Sequence, residues 1–168
     1  MDTETESTVE FEMTLYVAAT PEQVWEAITG DAGNRAVMWG SVLRGDLVPG
    51  SRYEYVGPGR DGDETVHVYG DVLQADAPRV LQLTEHPGAT YRENHADLVS
   101  RMTWRIEPAG DALTRLTFTS DEWSEGHPAR VEAGEVWPHL LSSFKSYLET
   151  GRALPAPESE PVPESASA

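Results

Sequence analysis

Residues 134–154 (GEVWPHLLSSFKSYLETGRAL) constrain the fold more than any other stretch of the chain. Val136, Trp137, Leu140, Leu141, Phe144 and Leu148 recur at helical spacing and form one broad apolar stripe. Such a stripe needs a sheet to lie on. Pro138 removes one backbone hydrogen bond and clashes with the carbonyl of Gly134, which predicts a kink or a helix start between Gly134 and Pro138. From Trp137 to Thr150 the helix would be roughly 21 Å long, enough to cross about four strands. Gly151 suits a left-handed cap at its end.

The sheet is supplied by what comes before. Val9 to Val17 alternates, with Val9, Phe11, Met13, Leu15 and Val17 on one face, as a half-buried strand does. Thr20-Pro21-Glu22-Gln23 then opens a helix. Thr20 suits the N-cap, Pro21 the first helical position, and Gln23 completes a capping box. Val24, Trp25 and Ile28 form its buried face, Gly30 can end it, and residues 31–39 form a shorter helical piece. From Ser41 to Trp123 the punctuation is that of strands, at about 42–48, 51–57, 64–75, 79–86, 97–107 and 112–121. Pro49-Gly50, Gly57-Pro58-Gly59, Asp76-Ala77-Pro78, Pro87-Gly88 and Pro108-Ala109-Gly110-Asp111 mark the turns between them. Short connections favour antiparallel pairing. Residues 1–8 are polar. Residues 155–168, rich in Pro, Glu, Ser and Ala, bury too little apolar surface to offset their ordering entropy. The expected organisation is therefore a disordered tail over 1–8, one α+β domain over 9–154, and a disordered tail over 155–168.

The net charge of −17 belongs to the body as well as the tails. The two tails carry three acids each and no base, which leaves −11 on residues 9–154. Such a surface repels phosphate backbones and anionic membranes, so nucleic acid is not an expected partner. The absence of cysteine excludes disulfides and thiolate chemistry. No basic start followed by an apolar run is present, and no apolar run reaches membrane-spanning length. The expectation is a cytoplasmic protein without a membrane span.

Two segments carry a family resemblance. Thr20-Pro21-Glu22-Gln23-Val24-Trp25-Glu26-Ala27-Ile28 resembles the first helix of START-like (SRPBCC) proteins. Residues 136–151, with Trp137-Pro138 near their start, resemble the closing helix of the branch named for the heat-shock protein 90 ATPase activator. Members often have Gly-Trp-Pro there, whereas this chain has Val136 before the Trp. The strand pair Arg101 to Pro108 and Thr114 to Thr119 resembles the family's last hairpin. The resemblance implies a helix-grip fold: a seven-stranded curved antiparallel sheet around a long C-terminal helix, with a cavity between them. It also implies a range of functions. Relatives bind lipids, plant hormones or polyketides, some cyclise polyketides, and the eponymous domain stimulates a chaperone ATPase.

Candidate chemistry is sparse. His67, His86, His95, His127 and His139 show no metal-ligand spacing, so no metal and no cofactor is expected. There is no nucleophile elbow, and the Gly-rich 57–62 segment opens no helix and reads as a loop tip. His67, Tyr69, Glu85, His86 and Asp121 are candidates for acid–base work if desolvated in a cavity. The aromatic residues are the stronger signal. Trp39, Tyr53, Tyr55, Trp104, Phe118, Trp123, Trp137 and Phe144 lie on elements that should converge into a pocket wall. Strand parity groups Met102, Trp104 and Ile106 with Leu116 and Phe118 on the inward face. The expected ligand site has Trp104, Phe118, Trp137, Leu141 and Phe144 as its apolar wall. Tyr53, Tyr69 and His67 would be its polar handles, with Trp39, Tyr55 and Trp123 nearby. The leading reading is a non-enzymatic binder of a small hydrophobic or aromatic ligand. The alternatives are a module acting on a chaperone and a cyclase- or dehydratase-like enzyme.

Overall fold

The computed structural model describes residues 9–157. The tail over 1–8 and most of the tail over 155–168 lie outside the described residues. Strand β1 (Val9–Val17) is followed by helices α1 (Pro21–Thr29) and α2 (Asp31–Val37). Six strands follow: β2 (Val42–Arg44), β3 (Arg52–Pro58), β4 (Glu64–Asp76), β5 (Val80–Pro87), β6 (Ser100–Gly110) and β7 (Leu113–Asp121). A single 3₁₀ turn, His95–Asp97, precedes β6, and helix α3 (Arg130–Thr150) closes the chain. The strands form one curved antiparallel sheet in the order β1-β7-β6-β5-β4-β3-β2. The two chain-adjacent halves meet because β1 pairs with β7.

The local signals act as their chemistry dictates. The Thr20 hydroxyl accepts from the Gln23 amide, and the Gln23 side chain accepts from the Thr20 amide, completing the capping box. Gly30 ends α1 in extended conformation rather than left-handed. A glycine is needed there for space, since a Cβ would lie 2.6 Å from the Glu26 carbonyl oxygen. Gly151 caps α3 in the left-handed region, at φ 84°.

Helix α3 starts earlier than its Pro138 implies. It begins at Arg130, two turns upstream, and Pro138 is accommodated inside it. The Arg130 guanidinium forks onto the Glu10 carboxylate at 2.8–3.1 Å and ties the first turn to β1. At the other end Glu149 accepts from the Ala18 amide and from Lys145, whose ammonium also donates to the Tyr16 carbonyl. Two strands also differ from expectation. Strand β2 stops at Arg44 because Gly45 (φ 141°) and Leu47 (φ 53°) turn the chain. Strand β6 continues through Pro108 to Gly110, and the hairpin turns at Ala112 (φ 51°) instead.

Register places the inward residues opposite one another. Trp104 faces Phe118 across β6–β7 and Leu81 across β5–β6, and Met13 faces Phe118 across β1–β7. Met102, Trp104, Ile106, Leu116 and Phe118 are all buried, as parity requires. Trp137, Leu140, Leu141 and Phe144 of α3 lie on this face. Trp104 meets Phe118 (4.8 Å between centroids), Trp137 (5.7 Å) and Phe144 (5.7 Å), and Phe118 stacks on Trp137 at 4.0 Å. Edge and stacked geometries of this kind add to the area burial of the rings.

Candidate functional site

The aromatic cluster fills the centre of the sheet–helix interface, and the space left open lies to one side of it. There a cavity of about 500 Å³ runs between α3 and the β3–β4–β5 end of the sheet. Helix α3 contributes Glu132, Ala133, Val136, Trp137 and Leu140 to its wall. The sheet contributes Tyr55 and Pro58 from β3, His67 and Val68 from β4, Glu85 from β5 and Met102 from β6. Met38, Trp39 and Ser41 line it from the α2–β2 connection, Tyr91 from the segment before β6, and Trp123 and Ala129 from the segment before α3. A smaller annex of about 150 Å³ continues toward Pro87 and His127. Trp39 is 61% exposed and Tyr91 52%, so these two rings mark the mouth.

Strand irregularities set which side chains enter. Tyr55 pairs with Val68 but Val56 pairs with Val66, so β4 carries one extra residue there. A bulge lets two sequence neighbours face one side, and His67 and Val68 both line the cavity. The same slip separates His67 from Tyr69. Tyr69 pairs with His86 and stacks on it at 4.9 Å, beneath Arg52, on the outer face of the sheet. Its hydroxyl bonds His95.

The expected site residues thus divide into three groups. Trp39, Tyr55, His67, Trp123 and Trp137 line the cavity. Tyr53, Trp104, Phe118, Leu141 and Phe144 are at most 1% exposed and belong to the packed core. Tyr53 spends its hydroxyl on the Thr84 carbonyl at 2.7 Å. Tyr69 is on the opposite face. The reason is packing: Trp104, Phe118, Trp137 and Phe144 meet ring against ring at the centre of the sheet and close it, so the open space lies to one side of them. Of the acid–base candidates, Asp121 is locked by two 2.8 Å bonds to Arg101, and the His86 ring donates to the Leu98 carbonyl.

Glu85 is the candidate the cavity does contain. It follows Leu81 and Leu83 at alternate positions, so strand parity turns it inward. One carboxyl oxygen accepts from Ser100 at 3.2 Å, and the other has no partner among the described residues. Burial in the apolar wall pushes its pKa up from 4.5 to about 7, against a smaller opposing effect of the Ser100 bond. The Tyr55 hydroxyl is also buried in this wall, with no partner among the described residues. Burial, and then the nearby Glu85 charge, drive its pKa upward. His67 uses both ring nitrogens, one on the Pro58 carbonyl at 3.1 Å and the other on the Tyr91 hydroxyl. Glu132, Met38 and Tyr91 were not legible as lining residues. Tyr91 sits in an irregular segment with no periodicity to orient it. Among the described residues, no group of three His, Asp or Glu is placed to hold a metal ion.

An antiparallel sheet curled around a C-terminal helix, with an aromatic cavity at one end of their interface, defines a START-like helix-grip protein. The chain belongs to the family of Activator of Hsp90 ATPase homolog 1-like proteins, whose profile matches residues 18–149. Solved structures share the fold at low identity. A protein from Arthrobacter aurescens is 20% identical, covers 95% of this chain and 96% of its own, and superposes with a TM-score of 0.69. CalU16 from Micromonospora echinospora is 22% identical over 83% of this chain and 74% of its own, with a TM-score of 0.60. An HSP90 activator from Plasmodium falciparum is 17% identical over 83% and 95%, with a TM-score of 0.61. No curated protein matches in sequence. No helix among the described residues is long and apolar enough to cross a membrane.

Proposed function

We propose that this protein is a cytoplasmic binder of a small hydrophobic or aromatic ligand, held in the cavity between α3 and β3–β5. The observation that carries the reading is the wall itself. It is mostly apolar and holds five aromatic side chains, with one buried hydroxyl, Tyr55, that has no partner among the described residues. Buried polar groups without a partner are costly, and a ligand atom that bonds Tyr55 removes that cost. A mostly apolar pocket with few polar handles is the usual form of a small-molecule site. Titration of the intrinsic tryptophan fluorescence with lipids, flavonoids and polyketides tests this. Trp39, Trp123 and Trp137 report from the wall, so at least one class should give a saturable change. No change with any class would remove the proposal.

Two other readings have an observation each. Glu85 is a desolvated carboxyl with a pKa near neutrality in contact with the cavity, which is what acid–base catalysis on a bound ligand requires. Conversion of a ligand found in the first screen, lost in Glu85→Gln, would establish it. The family and the Plasmodium falciparum activator favour action on a chaperone, and stimulation of a purified chaperone ATPase would establish that.

A further inference from the structure

The charge inventory of the cavity wall narrows the ligand class. Two residues of the wall, Glu85 and Glu132, are acids, and none is Lys or Arg. His67 has both ring nitrogens engaged. A ligand carboxylate or phosphate would enter this space with no cation to meet it, and the desolvation cost would be uncompensated. A ligand cation meets the reverse situation. The free oxygen of Glu85 is available to it, and Trp39, Tyr55, Tyr91, Trp123 and Trp137 offer ring faces or edges around the same space. Aromatic walls around an ammonium are a general mode of cation recognition. The net charge of −17 raises the local concentration of cations at the mouth.

Building on the ligand-binding reading, we propose that the cavity selects a hydrophobic cation, an ammonium group on an apolar or aromatic body, with its charge against the Glu85 carboxylate. Glu85 is partly protonated at neutral pH when the cavity is empty. A bound cation favours the ionised form, so binding releases a proton from Glu85. The titratable groups that face Glu85 are Tyr53 and Tyr55 from β3, His67 from β4, Tyr91 from the segment before β6, and Glu132 from α3. His127 faces it across the annex, with Arg92 nearby. Protonation of His127 would also oppose a cation at low pH, so the variant at position 85 is needed to assign the effect.

The test uses two probes of one shape: naphthylmethyl-trimethylammonium, which carries a permanent charge, and its neutral carbon isostere neopentylnaphthalene. Binding to the full chain is measured by calorimetry at about pH 5.5 and about pH 8.5, on either side of the Glu85 transition. The cation should bind about tenfold tighter than the isostere at the higher pH, and the preference should shrink at the lower. In two buffers of different ionisation enthalpy near pH 6.5, the cation should release a fraction of a proton and the isostere none. Glu85→Gln, which retains an acceptor for Ser100, should lose both the preference and the proton release. Equal binding of the two probes, or a preference that survives in Glu85→Gln, would overturn the cation proposal and leave the ligand-binding reading intact. Binding of neither probe would overturn the cation proposal and count against the parent reading too. Wild-type protein supplies the pH and proton-release readouts even if the variant does not fold.

Discussion

Tyr55 and Tyr53 sit two positions apart on one strand, and their hydroxyls have opposite fates. Tyr53 donates to the Thr84 carbonyl, whereas the Tyr55 hydroxyl is buried in the cavity wall without a partner among the described residues. Tyr55→Phe is therefore expected to keep or raise stability, by up to about 1 kcal/mol, while weakening ligand binding. Thermal melts alongside ligand titrations check it, and a large loss of stability would show that the hydroxyl is satisfied. Glu85 links the same wall to pH. Its folded pKa of about 7 lies above its ordinary 4.5, so the folded state binds more protons between those values. The contribution of Glu85 to stability falls as pH rises through that window, by at most about 3 kcal/mol. Glu85→Gln removes this slope. Urea melts at several pH values should show the variant gaining on the wild type from about pH 4.5 to 7 and level above it. From the sequence, Glu85 stood only as one acid–base candidate beside His86, and the burial of Leu81 and Leu83 at alternate positions of β5 is what separates the two. His67 and Tyr69 were not separable in the same way, because an extra residue in β4 breaks the period of two and leaves no trace in residue type.

At the scale of elements, the punctuation of the chain was informative where a side chain bonds its own backbone. The capping box of α1 is one case. Thr20→Ala should cost about 1 kcal/mol, measured by chemical denaturation, because two amides of the first turn lose acceptors or order. The left-handed cap at Gly151 is another. Elements whose ends depend on distant partners were less legible. Pro138 points to a helix boundary, yet α3 runs two turns further upstream, where Arg130 meets Glu10, 120 residues away in the chain. Strand β2 ends where Gly45 (φ 141°) and Leu47 (φ 53°) turn the chain, and only glycine fits at 45, where a Cβ would sit 2.7 Å from the Arg52 carbonyl oxygen.

For the whole molecule, the pattern of strands and the closing helix reads as one α+β domain, and it is the resemblance carried by Thr20 to Ile28 and by Trp137-Pro138 that implied the helix-grip architecture. How the aromatics divide between core and cavity depends on side-chain volume summed over several elements, and no single segment records it. Trp104, Phe118, Leu141 and Phe144 complete the core, so Leu141→Ala should destabilise by about 2–5 kcal/mol in denaturant melts without enlarging the binding site. Ala133 instead lies on the cavity wall, and a large side chain there should fill the space from α3. The most direct test of the central claim is therefore fluorescence titration of the neutral probe N-phenylnaphthylamine against wild-type protein and Ala133→Trp, with folding of both checked by circular dichroism. Saturable, one-to-one enhancement is expected with wild type and its loss in Ala133→Trp. Absence of saturable binding to wild type, or equal binding to both proteins, would contradict it.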